Sequence, residues 1–121
     1  MKKMIIPKTK EYILRFREVN SDIFIAIKNG KKKIETRAAT KKYQNIKTND
    51  TIVFICASSR FKKKVKKVEF FKSVGAILKK YRPETINPNT YTTKEAYSMW
   101  YSFPGYKEKI KKYGLIAISL E

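Results

Sequence analysis

The sequence predicts an α+β fold in a single domain of 121 residues. Three observations predict it. Residues 11–18 alternate, with Tyr12, Leu14 and Phe16 on one side and Ile13, Arg15 and Arg17 on the other, the period of a half-buried strand. Residues 51–57 are apolar on both faces, as in a strand enclosed by its neighbours. Residues 92–103 open on Thr92 and Glu95 at capping-box spacing, ahead of a stripe of Ala96, Trp100 and Phe103, which predicts a helix. A chain of this length buries roughly two-thirds of its unfolded surface, enough for one modest core.

The remaining elements follow in order. After the first strand, residues 20–29 read as a helix with Asn20 or Ser21 as its cap, Asp22 complementing the dipole, and Ile23, Phe24 and Ile27 as its apolar stripe. This helix is expected to plug one end of a barrel. Gly30 can end it, because glycine takes positive φ without steric cost. A second strand covers residues 34–38. Residues 41–47 are basic, with Tyr43 and Ile46 as anchors, and Asn49-Asp50 reads as a turn. Cys56 reads as a small buried hydrophobe. Residues 58–67 are expected to be a connection and the lead-in to a β-hairpin arm. Residues 68–74 form the next strand, with Val68 and Phe70 inward, and residues 75–81 a short helix with Ile77 and Leu78 inward. Residues 82–91, with Pro83 and Pro88, read as a loop. Pro104-Gly105 stops the long helix, residues 106–112 are a basic turn or helix, and Gly114 breaks into a last strand over residues 115–120.

The chain is organised around residues 27–37. A helix end, a glycine turn and a strand follow one another directly, and the strand sets Lys33, Glu35 and Arg37 on one face with Ile34 on the other. A carboxylate and a guanidinium side by side make a compact polar site. Lys and Arg together can hold a phosphate, and a carboxylate can accept from a base amino group. The bland alternative is a surface ion pair worth little.

Composition narrows the chemistry. With no histidine and one cysteine, no zinc-type site, no intramolecular disulfide and no His-based catalysis is expected. No metal and no cofactor are expected. Residues 1–7 offer only Met4, Ile5 and Ile6 as an apolar run, too short for a secretory or membrane-spanning segment, so a cytoplasmic location is expected. The formal charge of +19 points to a polyanion, most often nucleic acid. Arg15 and Arg17 on the first strand, and Arg60, Lys62, Lys63, Lys64, Lys66 and Lys67 beyond the third, are the candidate phosphate contacts. The alternative is a lysine-rich surface that only confers solubility. Tyr97, Trp100, Tyr101, Phe103, Tyr106 and Tyr113 form an aromatic set beside basic groups that can stack bases; Trp100 and Phe103 read as core, and Tyr97, Tyr101 and Tyr113 are the stacking candidates.

Gly30, Lys32, Glu35 and Arg37 resemble the signature of ASCH domains, in which a glycine, a lysine two residues on and Glu-x-Arg recur. Three further segments resemble that family in order: Asn49-Asp50 with the strand after it, residues 68–80, and Tyr113-Gly114 with the last strand. The resemblance runs from Tyr12 to Leu120. It implies a small PUA-like β-barrel of five or six mostly antiparallel strands with three or four short helices, residues 1–121 forming one ASCH/PUA-like domain. It favours a ligand pocket at Lys32, Glu35 and Arg37, and together with the charge and the stacking candidates Tyr97 and Tyr101 it gives an RNA- or nucleotide-binding module with these five as ligand-binding residues. Some small ASCH proteins are amidohydrolases acting on N4-acetylcytidine, with a catalytic Lys, Thr and Glu. Carried over, the Lys falls on Lys32 and the Glu on Glu95. The Thr position falls on Glu35, which cannot supply a hydroxyl, and Thr36 is expected to face the other way. A ribonuclease or protein-interaction role is the remaining alternative within that family.

Overall fold

The alternating first segment folds as β1 (Glu11–Phe16), and a single 3-10 turn leads into α1 (Ser21–Lys28). The structure, a computed structural model, describes residues 8–121, so the Met4–Ile6 run lies outside the described residues. Then come β2 (Ile34–Ala38), β3 (Thr51–Cys56) and β4 (Ser59–Phe71). Helices α2 (Val74–Lys80), α3 (Pro83–Ile86), α4 (Thr93–Tyr101) and α5 (Tyr106–Tyr113) precede β5 (Leu115–Leu120). The strand order is β1-β3-β4-β5-β2. β1 runs parallel to β3 and every other pairing is antiparallel. This is the expected α+β architecture: a five-stranded sheet curled into a half-barrel. No helix among the described residues is long and apolar enough to cross a membrane.

Two cores hold the sheet. Inside the curl, Leu14, Ile52, Phe54, Val65, Ile116 and Ile118 pack against Ile23, Phe24 and Ile27 of α1, which closes one end. On the opposite side of β2 and β5, Ile34, Ala38, Leu115 and Ala117 pack against Val74, Ile77, Ile86, Ala96, Trp100 and Ile110 from α2 to α5. β5 feeds both cores from its two faces, and five of its six residues are buried.

Four expectations change. Residues 58–67 are not an arm beside the barrel. Ala57 and Ser58 are the turn of a β3-β4 hairpin within the sheet, and residues 59–67 are the first part of a 13-residue β4, paired with β3 from Ser59 to Lys64. A bulge between Val65 and Lys67 then turns the strand onto β5. A run of lysines does not forbid a strand whose exposed face takes them. Phe70 stands opposite the buried Ile116 but is itself 55% exposed, while Phe71 packs into the second core. Residues 82–91 include a helical turn, α3, which adds a fifth helix to the expected three or four. Pro83 stands at its first turn, where the missing N–H costs nothing. Asn20 occupies the cap position of α1, but its side chain makes no capping bond.

The turns behave as the sequence implies. Gly30 has φ +82° and Asn49 +77°; asparagine is among the few non-glycine residues that tolerate that region. Asp50 is buried, and its carboxylate accepts from the backbone N–H of Lys10 at 2.9 Å and of Lys47 at 2.8 Å.

Candidate functional site

β1 and β2 are the two edges of the sheet, and the site lies where they fail to meet. In β2, Lys33 accepts from the Leu120 N–H and Ala39 donates to the Gly114 carbonyl. The odd-numbered residues therefore turn their backbone groups toward β5, and Ile34, Thr36 and Ala38 turn theirs to the open edge. An open edge needs partners, because unpaired backbone groups out of water are costly. The side chains of Lys32, Glu35 and Tyr106 supply them. The Lys32 ammonium donates to the Ile34 carbonyl. The Thr36 N–H donates to Glu35 Oε1 at 2.9 Å, and the Ala38 N–H to the Tyr106 hydroxyl at 3.4 Å. No described residue donates to the Thr36 carbonyl, which stays available at the edge.

The charged groups are coupled. Lys32 Nζ lies 3.0 Å from Glu35 Oε1, and Arg37 Nη2 lies 3.4 Å from Glu35 Oε2. Arg37 also spans the gap to β1: Nη2 donates to the Arg15 carbonyl at 3.3 Å, and its guanidinium sits 4.9 Å over the Phe16 ring. Lys32 is 3% and Glu35 6% exposed, so this is no surface ion pair. Burial pushes the Lys32 ammonium below its ordinary pKa, more than the neighbouring Glu35 raises it. Burial alone would raise Glu35, but the Lys32 and Arg37 cations outweigh it and hold the carboxyl low. Glu35 in turn offsets the burial of Arg37 and holds its pKa high. Burial raises the Tyr106 phenol, which stays protonated and can donate.

These groups line one side of a cavity of about 440 Å³. Four cationic residues line it (Arg15, Arg17, Lys32 and Arg37) against a single acidic one, Glu35. Aromatic residues line it as well: Phe103 beyond the end of α4, Tyr106 at the start of α5, Phe16 from β1, and Trp100, which is itself only 1% exposed. Trp100 donates from Nε1 to Thr36 Oγ1 at 3.1 Å, which ties α4 to β2. Phe103 and Tyr106 stand 5.1 Å apart edge to face, with the Arg17 guanidinium 5.9 Å from the Phe103 ring. Thr36 lies on the opposite face of β2 from Glu35, as expected, yet both reach the cavity because it wraps around the strand's free edge.

Lys32, Glu35, Arg37, Arg15 and Arg17 thus come together. Tyr97 and Tyr101 do not line the cavity; they pack on each other at 5.7 Å, with Tyr97 against the second core. Glu95 sits exposed at the other end of α4, where its carboxylate accepts from the Thr92 N–H at 3.1 Å in the capping box. Arg60, Lys62 and Lys64 project from one face of β4, while Lys63 and Lys66 border a smaller cleft beside Lys33. Sequence reasoning missed Phe16 and Thr36 as lining residues, named Tyr106 only within the wider aromatic set, kept Tyr113, which packs against the first core, as a stacking candidate, and assigned Trp100 and Phe103 to the core alone. One signal was available for Trp100, since a buried indole N–H needs an acceptor.

The family model for the ASCH domain matches residues 18–121. Among solved structures, the chain resembles the crystal structure of the hypothetical protein PH0355, with TM-score 0.79 and 32% identity over 93% of this chain and 98% of that one. It also resembles the solution NMR structure of protein PF0455 from Pyrococcus furiosus, with TM-score 0.72 and 32% identity over 92% of this chain and 96% of that one. Comparison with curated proteins finds no match.

Proposed function

This chain belongs to the ASCH domain family, and on that premise we propose that it is an RNA- or nucleotide-binding module that holds a base in the cavity between β1, β2, α4 and α5. The observation that carries the reading is the mixing of aromatic and cationic residues in the lining of a single cavity of about 440 Å³. Aromatic faces stack unpaired bases, worth roughly 1–3 kcal/mol each. Glu35 Oε2 and the Thr36 carbonyl offer acceptors to a base amino or imino group. Arg37 offers donors to a base carbonyl or a phosphate. Lys32 is committed to the Ile34 carbonyl and Glu35, so its role is to hold the carboxylate in place.

The amidohydrolase alternative needs Lys32 and Glu95 on one substrate. Glu95 is engaged in a helix cap away from the cavity, and Glu35 stands where that mechanism uses a threonine. A ribonuclease reading has no histidine to serve as general acid or base.

The test is binding to single-stranded RNA, structured RNA and duplex DNA across a salt series, for wild type and Arg37→Ala. The expected result is at least a tenfold loss for the preferred RNA, with the three affinities converging and the salt slope changing by no more than roughly one contact, about 0.7. Arg37→Lys, which keeps the charge but loses the fork, is expected to recover little. Wild-type affinity and preference in Arg37→Ala would defeat the pocket reading. Product chromatography with N4-acetylcytidine is expected to show no Lys32-dependent turnover.

A further inference from the structure

Apart from Arg15, the outer face of β1, β3 and β4 has no place in the site just described, yet its composition is unusual. Across the three strands the register sets Arg15 beside Ile55 and Arg60, Ile13 beside Val53 and Lys62, and Glu11 beside Thr51 and Lys64. The opposite face of the same strands carries Leu14, Ile52 and Phe54 into the core. The outer face therefore has largely covered β3 residues at its centre, with Val53 buried and Ile55 half-buried, bordered along β4 by Arg60, Lys62 and Lys64. All three are exposed, as are Ile13 and Arg15. One carboxylate competes: Glu11 Oε2 lies 2.9 Å from Lys62 Nζ, in a pair more than half exposed on both sides.

The face also connects to the cavity. Arg15 belongs to both, since it borders the cavity, where its carbonyl accepts from Arg37, and its residue stands opposite Ile55 in the outer row. Arg60 lies at the end of β4 nearest that mouth, and Lys62 and Lys64 follow at every second residue, about 7 Å apart on one face of a strand. A row of cations at that interval suits successive phosphates of an extended single strand.

We infer that the outer face of β1-β3-β4 is a track for the backbone of single-stranded RNA, along which the phosphates leave the cavity at Arg15, cross to Arg60 and run along β4 past Lys62 and Lys64. This rests on the base-binding reading of the cavity and adds the path of the strand to it. The recognition is of charge and spacing, so the track is indifferent to sequence. The exposed Ile13 and half-buried Ile55 lie beneath the sugars, which leaves the cavity as the only point of base selection.

The test compares two variants of equal charge. One is Arg60→Ala/Lys62→Ala/Lys64→Ala. The other removes three exposed lysines from the helices, Lys79→Ala/Lys94→Ala/Lys111→Ala. Each is titrated with a labelled single-stranded RNA of about 12 nucleotides between roughly 50 and 200 mM salt, and with cytidine monophosphate. The track variant is expected to lose on the order of 10- to 100-fold in RNA affinity, with the salt slope falling by roughly 2, at about 0.7 per phosphate contact. Its binding of the mononucleotide is expected to match wild type, and the helix variant is expected to keep most RNA affinity. Equal losses in the two variants would mean a diffuse field and would overturn the track, as would wild-type affinity in the track variant. Failure of the cavity reading looks different: Arg37→Ala would keep the mononucleotide, whatever the track variant does with RNA.

Discussion

Replacing Glu35 by alanine is expected to destabilise the domain by about 3–5 kcal/mol. The carboxylate is the only anion between the Lys32 ammonium and the Arg37 guanidinium, and it also accepts the Thr36 N–H. Its removal leaves a cation 3% exposed without a counter-charge and an edge N–H without its partner. Chemical denaturation monitored by circular dichroism measures the loss. Glu35→Gln keeps an acceptor for Thr36 and is expected to cost less. The pH dependence has a definite sign. Glu35 is held below its ordinary pKa in the folded state, so its contribution to wild-type stability is present above about pH 4.5 and is lost as pH falls through the lowered value. In Glu35→Ala the order reverses. Lys32, already pushed down by burial, loses the anion that held it up, and the unfolded chain then binds its proton more readily. The deficit of the variant is therefore expected to shrink as pH rises toward the ordinary lysine range. A deficit under 1 kcal/mol that is flat with pH would mean that the triad is solvated rather than buried.

Gly114→Ala is expected to cost a similar amount, about 3–5 kcal/mol, for an unrelated reason. Gly114 joins α5 to β5 with φ +77° and ψ −164°, a region that is essentially glycine's alone. A Cβ there would press on the Phe71 carbonyl oxygen and crowd the Lys72 Cα at 3.3 Å. Both obstacles are backbone, so no side chain can rotate away. The strand it launches is the one that both cores share, and the Gly114 carbonyl also accepts from Ala39 at 2.9 Å at the end of β2. Thermal denaturation is expected to show a large drop in midpoint or no cooperative transition. Gly105, also at positive φ, has only the flexible Lys109 side chain within 4 Å, and Gly105→Ala is expected to be milder. Equal effects at the two glycines would mean that the left-handed backbone alone, not the close approach, sets the cost.

Local patterns carried far in this chain because most elements obey a single period. The alternation of residues 11–16, the capping box of Thr92 and Glu95, and the apolar run of Thr51–Cys56 each became the expected element. Reading failed where two demands share one stretch. β4 serves β3 with its first half and β5 with its second, and the bulge near Lys66 that allows this has no signature among so many lysines. Charge density suggested an arm because the exposed face of a strand and a solvated hairpin look alike in composition. At the site, the charged half was legible from Lys32, Glu35 and Arg37, which lie within six residues. The aromatic half was not, because Phe16, Trp100 and Tyr106 come from three distant elements that meet only when the half-barrel stays open between β1 and β2. Trp100 also serves core and cavity at once, and burial periodicity reports only the first.

The central claim is that the cavity beside β2 receives a base, and Trp100 is the only tryptophan in the chain. Its emission can be followed while single-stranded RNA or cytidine monophosphate is added, with RNA binding measured in parallel by the anisotropy of a label. The account predicts a saturable change in Trp100 emission that tracks occupancy and is lost in Arg37→Ala. RNA that binds by anisotropy while Trp100 emission stays unchanged would contradict it, leaving a basic surface with no recognition pocket.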